Sequence, residues 1–531
     1  MEKRRNNRFE GGIRNGGFSN FEKRGNWKSA SMPNRAVANI VELKDGDYYS
    51  GTVKIMKKSQ PGPVIFVVSD GYGSVDAVIK DSDYEVGDVI EISGTVNERA
   101  GRLQLEIESM RPSKKDFNLV LEENSAPKRT QFSIKSERLE KLKPYFIKIA
   151  KRIRKAVLES QPILIRHHAD SDGITAGLAI EQSCKKFMEK IGVNPEYALY
   201  RSPSKAPFYE IADVFRDIIL SNRLIEFKQK KPLIIVLDNG STPEDVLGLK
   251  TLHSLGFEVI VVDHHNPVVI ENKKTAVDAY VSLHLNPYIE GLDSQTCAGM
   301  LAYELGRMIF EEYENSKLPA VAGISDLCRI PETDEYIKNT GKTKEFLAKI
   351  GKGMDFIAYN IKFDSGKGLY DELFKNEKFV AILDEEVTTG FETQLQSTMP
   401  YLRTQDIDGV IFSYIDLEKY TVRFKYPAPG KVIGAIHDII ALQNENRPVI
   451  TIGHLSDMII FRASKAILPV QKIIKKLRKD LPSANVDGGG HEMAGAIKFV
   501  SAHLTDIIEN IKQQIKDVKY LENSQEGKEE K

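Results

Sequence analysis

Three apolar runs of strand length, "PILIR" (162–166), "KPLIIVLDNG" (231–240) and "FEVIVVDHHNP" (257–267), are each preceded by helical sequence. Strands that are apolar on both faces must be covered on both. That condition is met by a parallel sheet with helices above and below, and it makes this part of the chain an α/β domain. Each run also ends in acid: Asp170 and Asp172 follow the first, Asp238 the second, and Asp263 with His264 and His265 the third. In an open parallel sheet, ligands bind outside the carboxyl ends of the strands. These loops are therefore expected to converge, although 93 residues separate Asp170 from Asp263. Carboxylates crowded together repel one another unless cations neutralise them. The cluster reads as a metal site, and its number of donors suits two ions.

The N-terminal third follows a different rule. Short runs of alternating Val and Ile, broken by Gly and Asp about every ten residues, predict a small all-β barrel of about five strands over 36–113. An OB-fold is the natural candidate, and its usual ligand is single-stranded nucleic acid or oligosaccharide. Aromatic residues for base stacking are few (Tyr48, Tyr49, Phe66, Tyr72), so a barrel used for protein contacts stays open. Residues 1–35 carry nine Lys/Arg against three Glu, with Phe9, Phe18 and Trp27 interspersed, and cannot build a core. They read as a disordered basic arm, either solvated or used to grip phosphates and bases. Residues 114–160 read as a linker and a basic amphipathic helix, and 516–531 as a flexible tail.

Over the whole chain 75 basic and 75 acidic residues cancel, so only local charge can point to nucleic acid. Cys184, Cys297 and Cys328 are scattered without metal-ligand spacing and are expected in the core of a cytoplasmic protein. No apolar run approaches the roughly 20 residues of a membrane span, so no membrane partner is expected.

"HADSDG" (168–173), "LDNG" (237–240) and "VDHHNP" (262–267) resemble the first three motifs of the DHH phosphoesterase superfamily. A fourth position, an Asp after a helix of small residues, is matched by Asp326 in "AVAGISDL". "DGGGHEMAGA" (487–496) and "FRAS" (461–464) resemble the two signatures of the associated DHHA1 domain. Together with an OB-like barrel, the set is similar to RecJ-like single-strand exonucleases, particularly the archaeal type. Bacterial RecJ carries its OB domain after the DHHA1 part, whereas the barrel comes first here.

The resemblance implies a DHH catalytic domain over 161–345, a connecting helical segment over 346–385 and a smaller α/β DHHA1 substrate-binding domain over 386–515. It implies one metal held by His168, Asp170 and Asp238, and a second by Asp172, Asp238, His264 and Asp326, with Asp238 bridging. Mn²⁺ suits such mixed imidazole and carboxylate ligation, and Mg²⁺ or Co²⁺ fit as well. Asp263 is implied to orient a ligand or a metal water, and His265 to face the scissile phosphate. His167 has no role in the family and is expected to be structural. Gly488, Gly489 and Gly490 would offer bare backbone N–H groups to a phosphate, joined by His491, Arg462 and Ser464. Lys472, Lys475, Lys476 and Lys479 on a following helix are either a solvated face or a track for the strand's backbone.

The expected activity is hydrolysis of single-stranded DNA or RNA to nucleoside monophosphates in repair or replication, with replication or repair proteins as possible partners. Two alternatives stand beside it: a phosphodiesterase for short oligonucleotides or cyclic dinucleotides, and a non-catalytic replication or repair scaffold.

Overall fold

The computed structural model describes residues 36–529, apart from 60–61, 205, 207, 227–228, 269–272 and 363. The basic arm, with Phe9, Phe18 and Trp27, lies outside the described residues. So do the side chains of His491 and of 518–529.

β1 (Ala36–Val37) lies parallel to the start of β2 (Tyr48–Ser59). With β3 (Val64–Ser69), β4 (Ser74–Ile79), β5 (Val89–Arg99) and β6 (Arg102–Pro112), the order runs β2-β3-β4-β6-β5. β5 pairs back onto β2, so five strands close the expected OB-like barrel. Alternation fills it: Ile90, Ile92 and Val96 of β5 point inward with Val53, Phe66 and Leu105. The same alternation corrects one expectation. Tyr49 and Phe66 are fully buried inside the barrel, which leaves only Tyr48 and the exposed Tyr72 of the four aromatics available to a ligand.

The second unit is built on a parallel sheet of β7 (Ile163–His168), β8 (Leu199–Ser204), β9 (Leu233–Leu237), β10 (Glu258–Val262) and β11 (Leu283–Leu285). Its spatial order is β11-β10-β9-β7-β8. Ile163, Ile165, Leu233 and Ile235 face the helices Glu137–Leu158 and Ser171–Lys190. Leu164, Ile234 and Val236 face the helices Ile211–Glu226 and Val246–Ser254 on the other side. Every residue of β9 is buried, as the unbroken apolar runs require. The chain leaves β7 toward β8 on one side and returns to β9 on the other. The topological switch point of this sheet therefore lies between β7 and β9, where a crevice opens at the strands' carboxyl ends. β8 ("LYRSPS") carries too much polarity and a proline for its sequence to read as a strand, and it occupies the sheet edge where both are tolerated.

A third unit follows the helices Lys344–Ile361, Leu369–Lys375 and Glu377–Thr398. Its mixed sheet comprises β12 (Arg403–Ile407), β13 (Val410–Asp416), β14 (Val449–His454), β15 (Met458–Ala463), β16 (Asp487–His491) and β17 (Ala494–Lys498). The order is β12-β13-β14-β15-β17-β16, and only the β13–β14 pair is parallel. The helix Pro429–Gln443 covers one face, and Val470–Asp480 with the start of Leu504–Glu529 the other. The boundary expected at 386 falls inside the unbroken helix Glu377–Thr398. The helix Leu504–Glu529 continues into the segment expected as a tail. No helix among the described residues is long and apolar enough to cross a membrane.

The barrel docks on the edge of the parallel sheet opposite the acidic loops. The Ser74 amide donates to the Ile191 carbonyl at 2.7 Å. A cleft of about 810 Å³ between the two units is lined by Met56, Lys57, Arg102, Val193, Tyr197 and Lys230. Ser160, Ala198 and Lys230 of this cleft lie just before β7, β8 and β9, at the amino ends of the strands. The helix Ser171–Lys190 starts at the acidic loop and ends beside the barrel. Its 20 residues rise about 30 Å at 1.5 Å each.

Gly192 holds the junction. Its φ is +80°, and a Cβ there would run into the Ser74 carbonyl oxygen. Gly291 has a similar φ of +70° with nothing within 4 Å. Gly291→Ala is therefore expected to cost only backbone strain, about 1–2 kcal/mol, whereas Gly192→Ala adds the clash with the barrel. Urea unfolding should show the larger loss for Gly192→Ala; equal losses would mean that the barrel is not held at this point.

Candidate metal centre

All the acidic loops meet at the switch point. β7 ends at His168, and Asp170 caps the next helix by accepting from the Gly173 amide at 3.0 Å. That helix begins at Ser171, three residues before the Ile174 suggested by its apolar pattern, because the cap and the polar first turn belong to it. Asp172 in this first turn accepts from the amides of Ala298 and Gly299, at 2.9 and 2.8 Å, at the start of the helix Ala298–Ile309.

Asp238 stands at the centre. Its φ of +56° is left-handed, a strained setting of the kind that persists where the surroundings demand it. Its carboxylate lies 3.5 Å from His168 Nδ1, 3.2 Å from His264 Nε2 and 3.8 Å from His265 Nδ1. His168 Nδ1 is also 3.0 Å from Asp170 Oδ2, and His264 Nε2 is 3.6 Å from Asp172 Oδ2. Asp326, just beyond the helix Lys317–Ser325, closes the second side. Two donor groups result: His168, Asp170 and Asp238, and Asp172, His264 and Asp326, each with donor atoms within 4.8 Å of one another. Asp238 lies between them, and its contacts reach both.

The chemistry of these donors fits cations. His168 Nδ1 and both carboxylate oxygens of Asp238 are buried and make no well-aligned hydrogen bond, although polar neighbours lie 3.0–3.5 Å away, a costly state unless an ion completes it. The His264 Nδ1 bonds the Ser294 carbonyl at 2.7 Å, which turns Nε2 toward Asp238 and Asp172.

Asp263 does something else. One oxygen accepts from the amides of His264 (2.7 Å) and His265 (3.2 Å) and bonds His265 Nδ1 at 2.7 Å. The other accepts from the Ser241 amide at 3.2 Å. Burial works against its charge, but His265 beside it holds the carboxyl well below the usual carboxylate range. Asp263 thus fixes the loop and aims the His265 ring. His167 points into the core, with Nδ1 on the His168 carbonyl (2.7 Å) and Nε2 facing Arg201 (3.1 Å). Burial and Arg201 keep it neutral.

The third unit closes over this edge. Lys431 Nζ pairs with Asp355 at 2.6 Å, and Asp355 in turn accepts from Ser171 Oγ at 3.0 Å, beside the metal-centre loop. No sequence signal singled out Lys431 or Asp355; their role comes from packing alone. The three glycines form strand β16, not a loop, and correct the expected open nest. Gly488 and Gly490 have φ values of +147° and +130°, where a Cβ would strike the Ala496 and Ala494 carbonyls of β17. Gly489 faces Glu244, which follows β9, so this bare strand borders the crevice at the carboxyl ends of the parallel sheet and not the cleft beside the barrel. Arg462 is half-buried on β15, with its charge near Asp438 and Lys431. Ser464 Oγ instead accepts from the Val449 amide at 2.9 Å and belongs to the sheet. The His491 side chain lies outside the described residues. Cys184, Cys297 and Cys328 are buried, as expected of core residues. Cys297 and Cys328 nevertheless converge on Asp326, which their separation in sequence concealed.

Comparison with known proteins matches this architecture. The pattern described as the DHH family, N-terminal domain, covers residues 162–327, and that of an OB-fold nucleic acid binding domain covers 50–113. An uncharacterized protein of Methanocaldococcus jannaschii is 35% identical over 91% of this chain and 70% of its own length. The chain belongs to the DHH family. A solved structure described as the DHH domain of a member of the s1p family of ribosomal proteins is 36% identical, covering 76% of this chain and 97% of that one, with a TM-score of 0.73. RecJ of Thermus thermophilus in complex with Mn²⁺ is 16% identical, covering 73% of this chain and 56% of that one, with a TM-score of 0.46.

The crowding has a measurable cost in the metal-free DHH domain. Burial and the carboxylates of Asp238 and Asp170 push Asp172 from its usual 3.8 up to about 7. A raised carboxyl holds its proton in the folded state, so its contribution is complete below the unfolded value and is lost as pH rises through the folded one. In chelator, stability should fall between about pH 4 and 7, by on the order of 2–4 kcal/mol. Asp172→Asn should flatten this slope, and added Mn²⁺ should reverse it in the wild type. Thermal melts across that range check both.

Proposed function

We propose that this DHH-family chain is a metal-dependent, single-strand-specific exonuclease of the RecJ-like type, releasing nucleoside monophosphates from an end of DNA or RNA. The observation that carries this reading is the pair of donor groups sharing Asp238, whose buried oxygens make no well-aligned hydrogen bond. His168, Asp170 and Asp238 would hold one divalent cation, and Asp172, Asp238, His264 and Asp326 the other. Mn²⁺ suits this set best, with Mg²⁺ or Co²⁺ as substitutes. When bound, such ions supply an activated water and neutralise charge on the phosphate.

The chain's own residues do the rest. Asp263 aims His265 at the scissile phosphate. Lys431 at the mouth of the cleft and Arg462 on β15 neutralise the strand's phosphates, and the bare β16 backbone lets the strand approach closely. The third unit therefore serves as a DHHA1-like substrate domain. In a cell the natural setting is replication or repair, with proteins of those processes as partners.

A second reading, hydrolysis of short oligonucleotides, is favoured by the barrel's place about 30 Å from the centre, at the other end of the helix Ser171–Lys190. A chain starting near Lys114 separates the two. Under the exonuclease reading it should cleave a dinucleotide as fast as the full protein. It should bind strands longer than that span more weakly, with a salt slope reduced by about 0.7 per lost phosphate contact. Under the short-substrate reading, truncation changes nothing at any length.

End-labelled DNA and RNA, each marked 5′ or 3′, incubated with Mn²⁺ should yield mononucleotides from one end only and leave duplex intact. Asp238→Ala is expected to abolish turnover, by at least about 10³-fold, and to lower bound Mn²⁺ while circular dichroism stays native. His264→Ala should lose metal, whereas His265→Ala should lose turnover and keep it. Wild-type turnover in Asp238→Ala, or equal metal loss in both histidine variants, would overturn these assignments; a scaffold would bind strands and cleave nothing.

A further inference from the structure

Cys297 and Cys328 come from the start of one helix and the loop beyond another, yet they meet beside Asp326. A sulfur of each and a carboxylate oxygen of Asp326 all lie within 4.8 Å of one another, and Cys328 Sγ is 3.7 Å from Asp326 Oδ2. A tetrahedral zinc ion, about 2.3 Å from sulfur and about 2.0–2.2 Å from oxygen, separates its ligand atoms by about 3.5–3.8 Å. The Cys328–Asp326 separation already has that length, and the remaining separations, none above 4.8 Å, need close by at most about 1 Å. Asp326 already serves the donor group with Asp172 and His264, and the two thiols meet on its other side.

We propose that Cys297, Cys328 and Asp326 form a site for a thiophilic divalent cation, zinc above all, that competes for Asp326 with the centre assigned above to hydrolysis. The competition rests on that functional reading; the binding does not. Two sulfur donors favour Zn²⁺ or Cd²⁺ over Mn²⁺ and Mg²⁺, which prefer oxygen ligands. Three protein donors leave a fourth position for water, and the Asp326 side chain, 24% exposed, marks the open side. Binding releases the two thiol protons to solvent and leaves two thiolates on the ion. Asp326, drawn toward the sulfurs, is then withdrawn from Asp172 and His264. The chain would thus hydrolyse with Mn²⁺ and be silenced by zinc at a separate point.

The full-length protein, free of metal, is titrated with Cd²⁺ alone and followed by the ultraviolet sulfur-to-cadmium absorption band. One Cd²⁺ per chain with this band is expected. Cys297→Ser and Cys328→Ser should each weaken the band, and the double variant should lack it although buried Cys184 remains. Cys297 occupies the N-cap position of the helix Ala298–Ile309 without a side-chain cap bond, and serine is favoured there, so the fold should survive, and an unchanged Mn²⁺-dependent turnover in the double variant verifies that. In the same variant the Zn²⁺ concentration that halves Mn²⁺-dependent turnover should rise at least tenfold. No band in the wild type, or an undiminished band in the double variant, overturns the site. A band with no change in zinc sensitivity overturns the competition. If neither protein hydrolyses nucleic acid, the functional reading has failed, and the cadmium band still decides the site.

Discussion

Everything at the carboxyl edge of the parallel sheet depends on the mutual repulsion of Asp170, Asp172, Asp238 and Asp326 around one point. Burial removes the water that would screen these charges, and the two histidines between them cannot neutralise four carboxylates. The protein meets part of the demand with fixed dipoles: Asp172 sits at the start of one helix and is held by the amides that open another. Asp238 receives no such help and keeps both oxygens without a well-aligned hydrogen bond on a left-handed backbone. Its two buried oxygens leave a place that a cation would complete. Such local conflict is tolerated where the site, not the fold, sets the requirement.

The core supplies the rigidity that keeps these groups in place. The helix Ser171–Lys190 is buried along most of its length, and Gly299 of a second helix leaves only enough room for Thr175 and Asp172. Asp172 therefore cannot withdraw from the cluster by a small shift of either helix. The same helix ends beside the barrel, so barrel and metal centre lie at its two ends without sharing a surface. A strand bound at both would have to follow the outside of the DHH domain.

The third unit meets the metal edge through the Lys431–Asp355 pair, among other contacts. Lys431 is half-exposed, and an ion pair of that kind is weak enough to be exchanged for a phosphate. The hydrogen bond from Ser171 to Asp355 ties this exchange to the loop that carries Asp170 and Asp172.

Much of this was legible in the sequence because its periods are physical. Apolar runs covered on both faces require helices on both sides, alternating Val and Ile require a barrel, and acids after parallel strands require a common edge. That the acids and histidines of the three strand ends would converge followed from those rules, and the resemblance added Asp326, which the structure brings to the same place. Packing decided what no local pattern encodes. Tyr49 and Phe66 proved to be core residues because strand register, not residue type, chooses the face. Gly488–Gly490 became a strand because β17 lay ready to pair with it, and Ser464 was taken by the sheet. Lys431, Asp355 and Cys297 had no neighbours in sequence to announce them, and Cys328, two residues from Asp326, gained its meaning only when Cys297 joined it. The place of the barrel, at the amino ends of the strands and away from the metals, was likewise decided only in three dimensions. The sequence alone determined which chemistry the chain can gather, because donor type and strand period are local properties. Which of those groups meet, and at what distance, was decided by the tertiary structure, because contacts between residues far apart in the chain depend on how whole elements pack.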